Sequence, residues 1–197
     1  MASRLKIGHR IVVDMVEPGS SVLDLGCGDG DLLSQLIKEK NVNGQGVEIS
    51  QESVSRCVEK DINVFHGDLD TGLRDYPDQS FDYVLLNETL QEVKNIQYVL
   101  NESLRVGKKV IVSFPNFAFF KSRFMLFFGG KAPVTFSLPH QWFNTPNLHF
   151  WSIKDFKSFC AWKGVKILET AYFGGSFRIR FLPNLFASKA LFIVSRQ

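Results

Sequence analysis

Cysteine is scarce: the 197 residues hold three, Cys27, Cys57 and Cys160, an odd number and far apart. None belongs to a C-x-x-C pair, so neither a zinc site nor a disulfide framework is signalled, and free thiols in a cytoplasmic protein are expected. Long apolar runs are missing too. No stretch reaches the ~18 uncharged apolar residues of a membrane span. The opening MASRLKIGHRIVVDMV carries charges throughout and has no apolar core of the secretory type, so no leader and no membrane are expected. Net charge is slight at +3, which permits an anionic partner but does not point to nucleic acid. Repeats and low-complexity tracts are absent. What remains is an ordinary globular balance of 45% hydrophobic and 22% charged residues, enough for one large core. The excess lies in 19 phenylalanines, crowded into the second half.

What is present is alternation. A helix is predicted over residues 4–16, with a stripe of Ile11, Val12, Met15 and Val16 ended by Pro18 and Gly19. SVLDL (21–25) reads as a first strand and 31–40 as a helix burying Leu32, Leu33, Leu36 and Ile37. GQGVEI is a second strand. Ser50 then caps a helix expected to bury Val54, Cys57 and Val58. INVFHGDL is a third, and FDYVLLN, a continuous apolar run, fits a central parallel strand. Ile96, Val99, Leu100 and Leu104 mark a helix closed by Gly107, before KKVIVSF. Ser152 and Asp155 form a capping box ahead of Ile153, Phe156, Phe159 and Cys160, with Gly164 at the far end. VKILETAYF and KALFIVSR finish the chain as an antiparallel pair. The pattern predicts an α/β, doubly wound, mostly parallel seven-stranded sheet whose last strand is antiparallel, in one domain over 1–197 with an insertion at about 115–151.

The first strand runs into DLGCGDG, with glycines at 26, 28 and 30. A dinucleotide fingerprint would need Gly or Ala at 31, where Asp31 stands. Asp24, Asp29 and Asp31 also surround the loop, whereas a pyrophosphate wants bare N–H groups at a helix start. An acidic loop suits a ligand with positive centres and no phosphate. S-adenosylmethionine, with a sulfonium and an ammonium, is such a ligand, and DLGCGDG resembles the D-x-G-x-G-x-G loop of class I methyltransferases residue for residue. On that resemblance Gly26 and Gly28 let the backbone pass close to S-adenosylmethionine or S-adenosylhomocysteine. Asp24 orients the loop or receives the ammonium. Glu48, ending the second strand, accepts the ribose hydroxyls. Asp68 accepts from the adenine amino group while the Leu69 N–H donates to the ring, and Asn87 meets the methionine end through its backbone. Cys27, Gly30 and Ile49 complete the candidate set.

Binding a methyl donor does not establish transfer. After the fourth strand the sequence reads NETLQEV, which lacks the N-P-P-Y or D-P-P-Y of amino-group methyltransferases. Gln91 and Glu92 stand where many small-molecule enzymes carry histidine. Glu88 and Glu92 are candidate bases, set against the plainer reading of solvated helix-surface carboxylates. No catalytic group stands out. The insertion is too long for a simple connection and is expected over the mouth of the donor site as a lid. Phe119 to Phe128 predict a short amphipathic helix whose apolar side packs on the domain or on another protein. Lys121, Arg123 and Lys131 are too few basic residues for a nucleic-acid groove. His140, Trp142 and His149 fit either aromatic packing or a substrate pocket.

Taken together, VLDLGCGDGDLL, GVEIS, GDLDTGLRDYPDQSFDYVLLNETLQEV, LRVGKKVIVSFPNF and PVTFSLPHQWFNTPNLHFWSIKDF resemble the MetW family of methionine biosynthesis proteins, from about residue 7 to 170. The glycine loop is generic to methyltransferases, while SFPNF and QWFNTPN with SIKDF are particular to MetW. The resemblance implies a class I methyltransferase fold and partnership with MetX, the homoserine O-acyltransferase. In that role the chain would activate the acyltransferase without catalysis of its own. The alternative is a methyltransferase acting on an unidentified small molecule. GGSFRIRFLPNLFASKALFIVSRQ is less distinctive.

Overall fold

The computed structural model describes residues 6–175 and 177–196. In chain order the elements are α1 (Lys6–Met15), β1 (Ser21–Leu25), α2 (Asp31–Lys40), β2 (Asn43–Glu48), α3 (Gln51–Glu59) and β3 (Asn63–His66). A 3-10 turn at Leu69–Thr71 precedes β4 (Phe81–Asn87), α4 (Ile96–Val106) and β5 (Gly107–Pro115). Then come α5 (Phe120–Gly129), α6 (Ile153–Lys163), β6 (Lys166–Gly174), β7 (Phe177–Arg178), α7 (Pro183–Phe186) and β8 (Lys189–Ser195). The strands form one sheet in the order β3-β2-β1-β4-β5-β8-β6-β7. The first five pair in parallel, and β8 runs antiparallel between β5 and β6. The doubly wound fold is as predicted; the two-residue β7 on the β6 edge is an addition to it. The first predicted helix starts at residue 4, outside the described residues, and those described give its helix from Lys6.

Alternation along the strands feeds two cores. Leu23, Leu25, Val84 and Leu86 point to one face, under Val99 and Leu100 of α4 and Phe156 of α6. Val22, Tyr83 and Leu85 point to the other, under Val12 of α1, Leu33 of α2 and Cys57 of α3. Central strands are therefore apolar on both sides, as a parallel sheet covered by helices requires. α3 departs from expectation: Cys57 is its only buried residue and Val58 is 60% exposed. Position 58 follows Cys57 by one residue, which rotates it about 100° off the buried stripe.

Chain order reverses between β1 and β4, since β2 and β3 lie to one side and β5 to the other. Such a switch point opens a crevice at the carboxyl ends of the strands. Two polar devices brace the fold, the first at the rim of this crevice and the second at the opposite, amino-terminal ends of β4 and β5. The Asp70 carboxylate accepts the N–H groups of Lys94 and Asn95, tying the turn after β3 to the entry of α4. Arg105, at the end of α4, donates to the carbonyls of Leu73 and Tyr76 and pairs with Asp78, pinning the long connection before β4.

Candidate functional site

The glycine loop leaves β1 bent toward β2, with the Gly26 and Cys27 N–H groups on the Val47 carbonyl at 2.8 and 3.2 Å. Gly26 and Gly28 both hold positive φ, +71° and +54°. A Cβ at 26 would lie 2.5 Å from the Thr89 methyl, whereas a Cβ at 28 would meet nothing within 4 Å. The two positions thus need glycine for different reasons. Gly26 lets Thr89 close over the loop, where its hydroxyl donates to the Leu25 carbonyl at 2.9 Å. Gly28 presents bare backbone to open space, the cradle a bound group would occupy.

Two hollows meet at this loop and share Gly26, Gly28 and Asn87. One, of about 450 Å³, runs past Glu48, Ile49, Asp68 and Leu69. The other, of about 260 Å³, is lined by His9, Asp24, Cys27 and Asp31. The larger lies in the ~300–1,000 Å³ range of small-molecule sites. Nine of the ten residues expected from sequence line these hollows. Gly30 does not: a Cβ there would strike Ile62 and Cys57, so this glycine serves the packing of α2 on α3. Cys27 lines the smaller hollow, while its thiol lies 3.9 Å from the Cys57 sulfur and burial pushes its pKa up.

Electrostatics distinguish the acids. Asp24 is 2% exposed, and its Oδ1 has no hydrogen-bond partner among the described residues. Burial first, then the nearby Glu48 carboxylate, push its pKa up to about 7. A buried unpartnered carboxylate costs free energy unless something positive reaches it. Glu48 is also buried but well supplied. Its Oε2 accepts the Gly28 N–H at 2.8 Å, and its Oε1 accepts those of Ile49 and Ser50 at 2.9 and 2.8 Å. A carboxylate offers about four acceptor sites, so one remains, and a diol would take a second by displacing the Gly28 bond. Asp68 caps the 3-10 turn through the Asp70 N–H, and Asn87 is held by the Ser113 hydroxyl at 2.7 Å.

Residues absent from the expected set also reach the site. Glu88 is not on a helix surface, which corrects that placement: it has left-handed backbone (φ +58°) and an ion pair with Lys189, while its side chain keeps the expected contact with solvent. Burial lowers the pKa of His9, with Asp31 and Glu88 opposing and Lys189 reinforcing the shift. Glu92 still touches solvent, yet desolvation, followed by Glu88 and Glu48, raises its pKa, while His140 lowers it. Only the position just after the fourth strand signalled Glu88. Nothing local in the sequence signals His9 or Lys189, which arrive from opposite ends of the chain.

The insertion does not cover the mouth as expected. No residue of 115–151 lines either hollow. It is tied to the segment after β4, where the Leu148 and His149 N–H groups share the Gln91 carbonyl, and at the rim His140 comes near enough to Glu92 to lower its pKa. Trp142 is exposed, and Nε2 of His149 is buried without a partner among the described residues.

A sheet of this order, with a glycine loop at its switch point, defines the class I methyltransferase fold. Solved structures agree: a SAM-dependent methyltransferase from Archaeoglobus fulgidus superposes with a TM-score of 0.68 at 15% identity, covering 99% of this chain and 95% of that one. One from Thermotoga maritima gives 0.66 at 19%, covering 98% and 93%. Within that class the family model described as methionine biosynthesis protein MetW matches residues 6–194, and the chain belongs to the MetW family. The Rhodopirellula baltica bifunctional methionine biosynthesis protein MetXA/MetW is 35% identical over 98% of the chain, which spans about a third (33%) of that protein's length. A demethylmenaquinone methyltransferase from Shouchella clausii is 28% identical over 60% of the chain and 56% of its own length. Among the described residues no helix is long and apolar enough to cross a membrane, and no group of three or more His, Cys, Asp or Glu could hold a metal ion.

Proposed function

We propose that the chain binds S-adenosylmethionine or S-adenosylhomocysteine at the glycine loop and serves as the MetW-type partner of a homoserine O-acyltransferase, MetX, raising its activity. The observation that carries the ligand is the buried Asp24 Oδ1, unpartnered among the described residues, beside the open face of Gly28. An ammonium fits the first and a close-lying chain fits the second. In this reading Glu48 and Ile49 meet the ribose, Asp68 and Leu69 the adenine, and Asn87, Gly26 and Cys27 the methionine end. Bound adenosylmethionine supplies an electrophilic sulfonium methyl. Asp24 orients the amino-acid end, and Thr89 keeps the loop closed. The partner reading is supported by the MetXA/MetW fusion in a relative sharing 35% identity.

A second reading, methyl transfer to a small acceptor, is favoured by the titratable groups at the mouth, Glu88, Glu92, His9 and Lys189. A paired assay separates the two. The chain is added to purified acyltransferase with homoserine, acyl donor and adenosylmethionine, while acylation and adenosylhomocysteine are both followed. Faster acylation with no adenosylhomocysteine is expected. Unchanged acylation and no complex would discard the partner role, and calorimetry with adenosylmethionine tests the site separately.

A further inference from the structure

α5 is amphipathic the wrong way round. Phe120, Phe124, Phe127 and Phe128 recur at i, i+4, i+7 and i+8, the spacing of one helix face. In a helix resting on its own domain that face would be buried. Here the only buried residue of α5 is Ser122, while Phe124, Phe127 and Phe128 are 62, 82 and 71% exposed. The helix is held by polar ties instead. Arg123 donates to the carbonyls of Ala118 and Asn184, and Gly130, in left-handed conformation, closes the last turn. Ring contacts make the patch continuous: Phe124 and Phe127 both pack on Phe128, and Phe120 lies 6.3 Å from Phe186 of α7. At roughly 200 Å² per ring, the five leave on the order of 600 Å² uncovered, at the upper limit for a monomer and approaching the ~800 Å² each partner buries in a stable complex.

The chain segments that carry the patch have exposed charge of one sign. Lys121, Lys131, Arg178 and Arg180 are exposed, and the sequence contains no Asp or Glu from 103 to 154 or after 169. Alongside α5 an apolar slot of about 190 Å³ opens between Leu126 and Trp142, sized for one inserted side chain. An outward aromatic helix beside a slot, on segments whose exposed charge is basic, is the pattern of helix-in-groove recognition with a central anchor.

We infer that the phenylalanine face of α5, with Phe186 and the Leu126–Trp142 slot, is the surface on which the MetXA-type acyltransferase docks, through an apolar groove bordered by acidic residues. This rests on the partner reading above. The relative that carries MetXA and MetW in one polypeptide holds the two at high effective concentration, which argues for this occupant over a second copy or a lipid surface. The patch is joined to the donor site through the chain that follows α7. α7 carries Phe186, and Lys189, three residues further on, pairs with Glu88 at the mouth.

The test measures the complex of the full chain with purified homoserine O-acyltransferase by calorimetry, for wild type and for Phe127→Asp combined with Phe128→Ser. Both rings are exposed, so Tm and adenosylmethionine affinity should match wild type and serve as controls for folding. The expected result is at least a tenfold weaker complex. A milder pair, Phe127→Ser and Lys121→Glu, should weaken it in proportion and reduce its salt dependence. A variant complex of wild-type strength overturns the docking surface. So does loss of wild-type self-association, or of binding to phosphatidylserine vesicles, in a variant that still holds the acyltransferase. No complex with wild type overturns the partner reading itself, a different outcome from a complex indifferent to these rings.

Discussion

The Glu48 carboxylate accepts the Gly28 N–H at 2.8 Å, so the end of β2 clamps the loop that follows β1. One side chain thereby sets the loop and faces the larger hollow. Glu48→Ala strips three N–H groups of their acceptor. It should lower stability by about 1–3 kcal/mol and weaken adenosylmethionine binding by a similar amount. Thermal denaturation and calorimetry read the two effects, and an unaltered affinity would refute the ribose position.

Asp24 should make stability fall with rising pH. Its pKa is about 7 in the folded chain against an ordinary 3.8. The folded state keeps a proton that the unfolded state has lost across that window. The penalty is absent below about pH 4, grows toward pH 7 and reaches roughly 4 kcal/mol above it. Asp24→Asn removes this dependence. Denaturation at pH 5 and 8 should show the variant gaining on wild type as pH rises, while adenosylmethionine binding drops at least tenfold. A gap that stays constant with pH would mean Asp24 does not hold the proton.

The two loop glycines should fail differently. Gly26→Ala puts a methyl 2.5 Å from the Thr89 methyl on backbone at φ +71°. It should cost about 2 kcal/mol or more of stability. Gly28→Ala meets open space, so only the left-handed backbone is penalised, by about 1 kcal/mol. Its Cβ projects toward the ligand, and binding should suffer more than folding. Equal stability losses would show that the loop repacks.

The α6 capping box is complete, with Ser152 accepting the Asp155 N–H and Asp155 accepting that of Ser152. Ser152→Ala should cost about 1 kcal/mol, seen as a lower Tm with adenosylmethionine affinity unchanged. A matching loss of ligand affinity would tie α6 to the donor site.

Local patterns made much of this legible. FDYVLLN is apolar on both faces because a central parallel strand is covered twice, and it spans β4 as expected. The Ser152–Asp155 box and Gly164 marked α6 at both ends because caps are chemistry between near neighbours. The candidate acids were legible because the fold places them at strand ends, where the sequence also shifts from apolar to polar.

Burial on a particular side was not legible. The stripe of phenylalanines in α5 specifies a helix and its one face, but periodicity carries no information on whether that face turns inward. The insertion looked like a lid because of its length, and the Gln91 carbonyl, far away in sequence, holds it outside the hollows. By itself the sequence determined the strand-helix alternation, the glycine loop and the family, since each depends on contacts within a few residues. The tertiary structure alone decided that Glu48 reaches Gly28, that Lys189 meets Glu88 and that the Asp24 Oδ1 lies buried without a partner among the described residues. Those depend on which distant segments share the crevice, and long-range packing sets desolvation and charge there.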